Sequence, residues 1–229
     1  MVAVIGDIHG CYHTLVELYN LIKEKYSRIP IYTVGDLVDR GNHSYEVIKF
    51  VLDEKILFTP GNHDYMFYHF FKDPTSVFAR SWIYNGNEMT LESYEEHEEA
   101  LFQHIDVIKA APLYYNLDDC FISHAGISQD FKNFLPTNFK DNLSFLDEII
   151  FGSYRNDNGV LWTRNQLLDI GKMQVVGHTK QKEIVFDESA NALYIDTGAC
   201  VGNNLSAVII EKNEVIEVLS QKTNLNDII

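Results

Sequence analysis

One repeated pattern constrains the fold of this chain most strongly. A short apolar run ends in a loop that contains glycine and a side chain of a type that commonly binds metals. The run 31–34 leads directly into Gly35-Asp36-Leu37-Val38-Asp39-Arg40-Gly41. Taken alone, this stretch also fits a surface turn with a local Asp–Arg ion pair, because Gly and Asp are common turn residues and exposed ion pairs are common. The same pattern follows four other apolar runs, which favours a shared site.

The first third of the chain alternates predicted strands and helices. Strands are predicted at 2–5, 31–34 and 56–59, and helices at about 15–25, 45–51 and 65–71. Strands that alternate with helices at this spacing predict a parallel arrangement with right-handed crossovers.

The second half has a different pattern. Short apolar runs separated by turn signals begin near residue 113 and predict a mostly antiparallel sheet. Before it we expect a loop over 73–86 and a helix or helix pair over 90–110; within it we expect helices at 143–151 and 166–170. The predicted fold class is α/β (α+β): a two-sheet β-sandwich of mixed strands flanked by helices, as a single domain over residues 1–229.

Charge and cysteine usage exclude several classes of protein. The chain has 18 Lys and Arg against 33 Asp and Glu, a net charge of −15. Such a surface argues against non-specific binding of nucleic acid or anionic membranes, which requires positive patches. Three widely spaced cysteines fit a reducing compartment, and no run approaches the length of a membrane span. We therefore expect a cytoplasmic protein, with a monomer as the default oligomeric state.

The polar side chains that follow the five apolar runs form a coherent ligand set. They are Asp7 and His9, Asp36, Asn62 and His63, His124, and His178. Strand ends that share a sheet edge are where open α/β sheets build sites, so these side chains can converge. Carboxylates, imidazoles and an amide oxygen without thiolates suit Mn²⁺, Fe or Zn²⁺. These ligands can hold two metal ions that share one carboxylate, and Asp36 is the expected bridging ligand.

Two arginines indicate a phosphate ligand. Arg40 lies in the central loop and Arg164 in Leu161-Trp162-Thr163-Arg164. A guanidinium presents a planar fork that matches two phosphate oxygens. Trp162 could stack on substrate, although a place in the core is the better prediction. The other five histidines are expected to be structural or exposed.

The motifs in order resemble those of a known family. Gly6-Asp7-Ile8-His9-Gly10, the 35–41 loop, Gly61-Asn62-His63-Asp64, His124-Ala125-Gly126 and Gly177-His178-Thr179 resemble the blocks of the phosphoprotein phosphatase family of calcineurin-like metallophosphoesterases. The Leu-Trp-Thr-Arg block and 194–199 are similar to the compact bacterial and bacteriophage branch. The resemblance implies a β-sandwich flanked by helices, with a dinuclear site at one sheet edge.

Roles follow from this resemblance residue by residue. Asp7, His9 and bridging Asp36 would bind one metal, and Asn62, His124, His178 and Asp36 the other, most readily Mn²⁺, with Fe or Zn²⁺ as alternatives. His63 would be the general acid oriented by Asp39. The catalytic set also includes Arg40 and Arg164. Those two arginines, Asn62 and His63 would bind the substrate phosphate.

The resemblance implies a serine/threonine phosphoprotein phosphatase that hydrolyses phosphate monoesters by direct attack of a hydroxide held by two metals. The alternative is a diadenosine tetraphosphate hydrolase, because Asp64 resembles those hydrolases, whereas Asp39 favours the protein phosphatases. A third interpretation, a non-catalytic phosphopeptide-binding module, does not require both His63 and Asp39. The expected partner is a phosphorylated protein or a small phosphoester.

Overall fold

Residues 1–228 are described by a computed structural model, which contains two five-stranded mixed sheets. The strands are β1 (Val2–Ile5), β2 (Ile31–Thr33), β3 (Leu57–Phe58), β4 (Tyr114–Asn116), β5 (Phe121–Ser123), β6 (Gln174–Val176), β7 (Val185–Asp187), β8 (Ala192–Tyr194), β9 (Asn204–Glu211) and β10 (Glu214–Lys222). The sheet orders are β10-β9-β1-β2-β3 and β4-β5-β6-β8-β7.

Both sheets combine parallel and antiparallel pairs. In the first sheet β1, β2 and β3 are parallel, as predicted, and β9 and β10 extend it in antiparallel fashion. In the second sheet β5, β6 and β8 are parallel, while β4 and β7 are antiparallel edge strands. The predicted antiparallel pairing of the second half therefore holds for β9 and β10, which join the first sheet, and for the edges of the second sheet, but not for the centre of the second sheet.

One part of the core lies between the two sheets, and another lies between the first sheet and the helices. Val2 and Val4 of β1 pack with Ile122 and Val175 of the second sheet, whereas the alternate residues Ala3 and Ile5 face the helices. This alternation follows from the two-residue period of a strand, which places successive side chains on opposite faces. The shared core joins the first and second halves of the chain.

Helices cover the outer faces. They are α1 (Tyr12–Lys25), α2 (Ser44–Asp53), α3 (Asn62–Lys72), α4 (Val77–Trp82), α5 (Glu88–Ser93), α6 (Glu98–Ala110) and α7 (Leu146–Ser153). The predicted helix or helix pair over 90–110 is a pair, α5 and α6, separated by a break that carries exposed Glu95 and Glu96. No helix within residues 1–228 is long and apolar enough to cross a membrane.

Two local predictions are wrong. The stretch 73–86 contains α4, which begins after Ser76, whose hydroxyl accepts a hydrogen bond from the Ala79 N–H at 3.1 Å. The stretch 166–170 is not helical, because Leu167 forms a β-bridge with Ser128 and is buried. Leu168 and Ile170 pack in a cluster with α7, whereas Leu167 packs with Val176 in another cluster, so the stretch does not present one helical face. The two-sheet architecture itself is confirmed.

Candidate metal centre and active site

Five loops that follow β1, β2, β3, β5 and β6 meet at one edge of the sandwich. The two sheets are joined there, because the His178 N–H, after β6 of the second sheet, donates to Asp7, after β1 of the first sheet, at 3.0 Å. A pocket of about 390 Å³ opens at this edge. Its lining residues are Asp7, His9, Asp36, Arg40, Asn62, His63, Arg164, His178, Lys180, Asp196, Cys200 and Val201.

The backbone of the site is strained. His9, Asp36, Asp39, Arg40 and His178 all have positive φ, between 46° and 75°. Left-handed conformations are uncommon for residues other than glycine and persist where the surrounding structure enforces them. The fold therefore uses part of its stability to aim these side chains into one pocket.

Two glycines allow close approach to the carboxylates. A Cβ at Gly61 would lie 2.0 Å from Asp36 Oδ1, and a Cβ at Gly177 would lie 1.8 Å from Asp7 Oδ1. Any side chain at either position would therefore displace a candidate metal ligand.

The first group of candidate ligands centres on Asp36. His9 Nδ1 donates to Val38 O at 2.9 Å, since a carbonyl can only accept, and this leaves Nε2 as the nitrogen with a lone pair. That Nε2 lies 3.4 Å from Asp36 Oδ2. A carbonyl that holds one ring nitrogen of a histidine is the usual outer partner of a metal-ligating imidazole.

The second group faces the other oxygen of Asp36. His124 Nδ1 donates to Val34 O at 2.9 Å, so its Nε2 is free to bind, 3.6 Å from Asp36 Oδ1. His178 Nε2 donates to Trp162 O at 3.0 Å, which leaves Nδ1 with the lone pair. Asn62 Oδ1 lies 3.0 Å from His124 Nε2 and 2.8 Å from His178 Nδ1.

Three lone pairs therefore converge on one point in the second group. Acceptors at such short separations repel one another unless a cation lies between them, and these spacings suit bonds of roughly 2.0–2.2 Å to a metal. The donor set thus fits divalent metal ions. Asp36 directs one oxygen toward each group, as a bridging ligand would.

The electrostatics of the pocket also favour a cation. Burial raises the pKa of Asp7, and Asp196 and Asp36 raise it further. Burial alone would raise the pKa of Asp36 as well, but the neighbouring histidines and Arg40 outweigh it and hold that pKa below its usual range. Burial lowers the pKa of His178 to about 3. The imidazole is therefore neutral at pH 7, as a metal ligand requires.

His63 lies beside the metal ligands but has different partners. Its Nδ1 is 2.6 Å from Asp39 Oδ2, and its Nε2 is 2.8 Å from Arg40 Nη2. Arg40 also donates from Nη1 to His9 Nε2 at 2.8 Å. The predicted acid, its predicted orienting carboxylate and a predicted phosphate-binding arginine are therefore in direct contact.

Asp39 is held by residues that sequence reasoning missed. The Trp82 indole N–H donates to Asp39 Oδ2 at 2.8 Å, and the Thr90 hydroxyl donates to Asp39 Oδ1 at 2.8 Å. Burial raises the pKa of Asp39, although the His63 hydrogen bond opposes this effect. No local signal marks Trp82 or Thr90, because they lie on α4 and α5, outside every motif.

The pocket contains three further side chains without an assigned role from the sequence. Lys180 follows the ligand His178 by two residues and is exposed in the pocket, whereas Asp196 is buried there. Cys200 lines the pocket beside Arg40. The Gly177-His178-Thr179 motif was a signal that could have pointed to Lys180.

Asp64 has a supporting position. Its Oδ1 accepts from the Leu37 N–H at 2.9 Å and its Oδ2 from the Gly61 N–H at 2.8 Å. The side chain is fully buried and does not line the pocket. Asp64 therefore joins the loops that follow β2 and β3.

Arg164 and Trp162 complete the site. The Arg164 guanidinium lines the pocket and donates from Nη1 to His178 O at 3.1 Å. The Trp162 ring is only half-buried, packed on Phe78. It therefore contributes to the core, as predicted, and also lines a neighbouring cleft.

Comparison with known proteins agrees with this geometry. The family model of calcineurin-like phosphoesterases matches residues 1–193. The chain belongs to this family. The predicted fold is confirmed, and the dinuclear divalent centre of the family has candidate ligands here. Nothing in the comparison identifies the metal or the phage-like branch.

A relative from Anoxybacillus flavithermus is 31% identical over 239 residues, which covers 95% of this chain and 93% of the relative. It is named bis(5'-nucleosyl)-tetraphosphatase PrpE [asymmetrical].

Two solved structures share the fold. A cold-active protein-tyrosine phosphatase from Shewanella has a TM-score of 0.60 at 20% identity and covers 96% of this chain and 80% of its own. A protein serine/threonine phosphatase from Saccharomyces cerevisiae has a TM-score of 0.58 at 14% identity, with 96% and 79% coverage.

Proposed function

We propose that this phosphoesterase hydrolyses dinucleoside polyphosphates, with two divalent metals held by the ligands described above. The observation that carries the proposal is the set of three cationic side chains in one pocket: Arg40, Arg164 and Lys180. A single phosphate monoester would not need all three together with two metals. A chain of phosphates presents several negative groups along its length and can use each of them.

The charge of the whole protein sharpens this argument. With a net charge of −15, the surface repels polyphosphate, so a local concentration of positive charge is required for binding. Burial by itself lowers the pKa of Arg40, but Asp36 and its other neighbours raise it, so the guanidinium stays charged in the pocket. The name of the Anoxybacillus flavithermus relative supports the same substrate class.

The first metal would be held by Asp7, His9 and Asp36, and the second by Asp36, Asn62, His124 and His178. Divalent metals in such a site supply Lewis acidity and lower the pKa of a coordinated water. Arg40 and Arg164 bind phosphate oxygens and stabilise the charge that develops on them.

His63 is the proton donor in this proposal. Because its Nδ1 is bonded to Asp39, Nε2 is the nitrogen that faces the pocket. In this structure Nε2 accepts from Arg40. When Arg40 turns to the substrate phosphate and His63 is protonated on both nitrogens, the Nε2 proton can pass to the leaving oxygen, while Asp39 holds the ring in orientation. A leaving phosphate needs this proton less than an alkoxide does, so the demand on His63 depends on the substrate.

A second candidate is a phosphoprotein phosphatase. It is favoured by the contact between His63 and Asp39, since the sequence resemblance associates an acidic residue at this position with protein phosphatases. The 2.6 Å separation of His63 Nδ1 and Asp39 Oδ2 supports this candidate.

The test compares diadenosine tetraphosphate, a phosphoserine peptide and p-nitrophenyl phosphate, each with Mn²⁺, Fe²⁺ and Zn²⁺. We expect diadenosine tetraphosphate to give ATP and AMP with a kcat/KM at least about tenfold above that of the peptide, since one well-placed charge contact contributes roughly 1.5–3 kcal/mol. Hydrolysis of the peptide and not of the dinucleotide would establish the second candidate. Failure on all three substrates with each metal would reject both.

A further inference from the structure

A second cleft adjoins the metal pocket. It has a volume of about 470 Å³ and shares Asn62, Arg164 and His178 with that pocket. The rest of its lining is mainly uncharged: Met66, Ser81, Asn85, Asp157, Asn158, Trp162 and Asn165. The cleft therefore begins where a substrate phosphate would bind and continues away from the metal ligands.

Trp162 is held rigidly in this cleft. Its ring stacks on Phe78 with centroids 5.6 Å apart and planes at 29°, and it meets Tyr65 edge-on at 6.4 Å. Its carbonyl accepts the hydrogen bond from His178 Nε2 at 3.0 Å. The ring is thus fixed relative to the metal ligands. A fixed aromatic surface of this kind binds a nucleobase by stacking, which contributes about 1–3 kcal/mol per base.

The asparagines of the cleft offer both kinds of hydrogen bond. Asn85 Nδ2 donates to Ser81 O at 2.7 Å, so its Oδ1 is left to accept. Asn158 Oδ1 accepts from Asn165 Nδ2 at 3.1 Å, so the Asn158 amide nitrogen is left to donate. The edge of a nucleobase carries donors and acceptors side by side and can pair with such a set.

We propose that this cleft binds one nucleoside of the substrate, with the base against Trp162 and the adjoining phosphate at Arg164. The volume lies within the range of about 300–1,000 Å³ that is usual for small-molecule sites. The mainly uncharged lining suits a neutral base, whereas the three cations of the metal pocket suit the phosphates. This inference rests on the proposed function, because it assumes that the phosphate enters from a nucleotide.

The test isolates the contribution of the base. AMP and ribose 5-phosphate differ only by adenine, and each is measured as an inhibitor of p-nitrophenyl phosphate hydrolysis. We expect the wild-type KI for AMP to be about tenfold lower than that for ribose 5-phosphate, the equivalent of one stacked base. In Trp162→Ala this ratio should fall to about one. Phe134, which is 79% exposed and lies outside the cleft, provides the matched control, and Phe134→Ala should keep the wild-type ratio.

A second pair of variants separates base binding from a structural role. Trp162→Phe keeps an aromatic surface and should restore most of the ratio, whereas Asn85→Leu should reduce it with little effect on the core. Fluorescence gives an independent signal, since the other tryptophan, Trp82, is fully buried. AMP should quench the wild-type emission and ribose 5-phosphate should not, and the quench should disappear in Trp162→Phe.

The result separates this inference from the proposed function. A wild-type KI ratio of about one overturns the nucleoside cleft even if diadenosine tetraphosphate is hydrolysed. A ratio near ten without hydrolysis of diadenosine tetraphosphate rejects the proposed substrate and retains a nucleotide-binding cleft beside the metals. An unchanged ratio in Trp162→Ala also overturns the assignment.

Discussion

Buried histidines occur in two regions of this protein and have different surroundings. In the site, His9 and His124 are almost fully buried, and each has one nitrogen bonded to a backbone carbonyl and the other facing Asp36. Among the helices on the outer face, His104 is equally buried, but its ring stacks on that of Tyr45 and its Nδ1 is hydrogen-bonded to the Tyr94 hydroxyl at 2.7 Å.

The difference shows that burial of a histidine does not by itself indicate function. Burial lowers the pKa of His104 to about 4, and it also lowers the pKa of His124. What distinguishes the site is the carboxylate near the remaining lone pair. Nδ1 of His104 faces a hydroxyl, whereas the second nitrogen of each of these site histidines faces a carboxylate.

The largest effect should come from removing that carboxylate. Asp36→Asn keeps the shape of the side chain but removes the charge that faces both groups of ligands. Loss of one outer partner of a metal ligand typically costs 10–100-fold, so the loss of a direct ligand of both metals should lower activity by at least about 10²–10⁴-fold. Elemental analysis should show fewer than two metals per chain. Retention of two tightly bound metals would contradict the bridging assignment.

The next largest effect should come from His63. We expect His63→Asn to reduce kcat for alkyl phosphate monoesters by about 10²–10⁴-fold, because the leaving alkoxide is no longer protonated. The loss should be smaller for p-nitrophenyl phosphate, whose leaving group needs little protonation. Metal content serves as the control and should match the wild type. An equal loss for both leaving groups would assign His63 to metal binding instead.

A smaller effect is expected at Lys180. Lys180→Ala should raise KM for diadenosine tetraphosphate roughly tenfold, because a charge contact with the phosphate chain is lost. The KM for p-nitrophenyl phosphate should change much less, since it carries a single phosphate. Lys182 is exposed, lies two residues away and does not line the pocket, so Lys182→Ala is the matched control. Equal shifts for the two substrates would place Lys180 at the attacked phosphate.

The smallest effect on activity should come from a substitution of His104, which lies outside the site. Because the folded-state pKa of His104 is about 4 and its ordinary value is 6.5, the neutral ring favours folding fully above pH 6.5 and this contribution is lost as pH falls toward 4. The free energy of unfolding should fall between pH 7 and pH 4.5 by about 2 kcal/mol less in His104→Gln than in the wild type, as measured by urea unfolding at both pH values. Activity per folded molecule at pH 7.5 should be unchanged. A large loss of activity there would place His104 within the catalytic network.

The sequence indicated the ligand set because each ligand immediately follows a short apolar run. That relation is local, and the parallel direction of β1, β2 and β3 follows from the helices between them. The parallel strands carry their carboxyl ends to one edge, so convergence of Asp7 and Asp36 could be predicted. The directions of the strands in the second sheet were harder to predict, because no α-helix lies between β4 and β5, between β6 and β7 or between β7 and β8.

The amino-acid sequence alone therefore determined which chemical groups lie at one edge of a two-sheet sandwich. The tertiary structure decided which atoms of those side chains are free and what holds them. Trp82 reaches Asp39 across 43 positions, and the His178 N–H reaches Asp7 across 171. Such contacts depend on how the sheets and helices pack against each other, and no local pattern of residues encodes them. For the same reason, the stretch 166–170 and the cleft beside Trp162 became visible only in the fold.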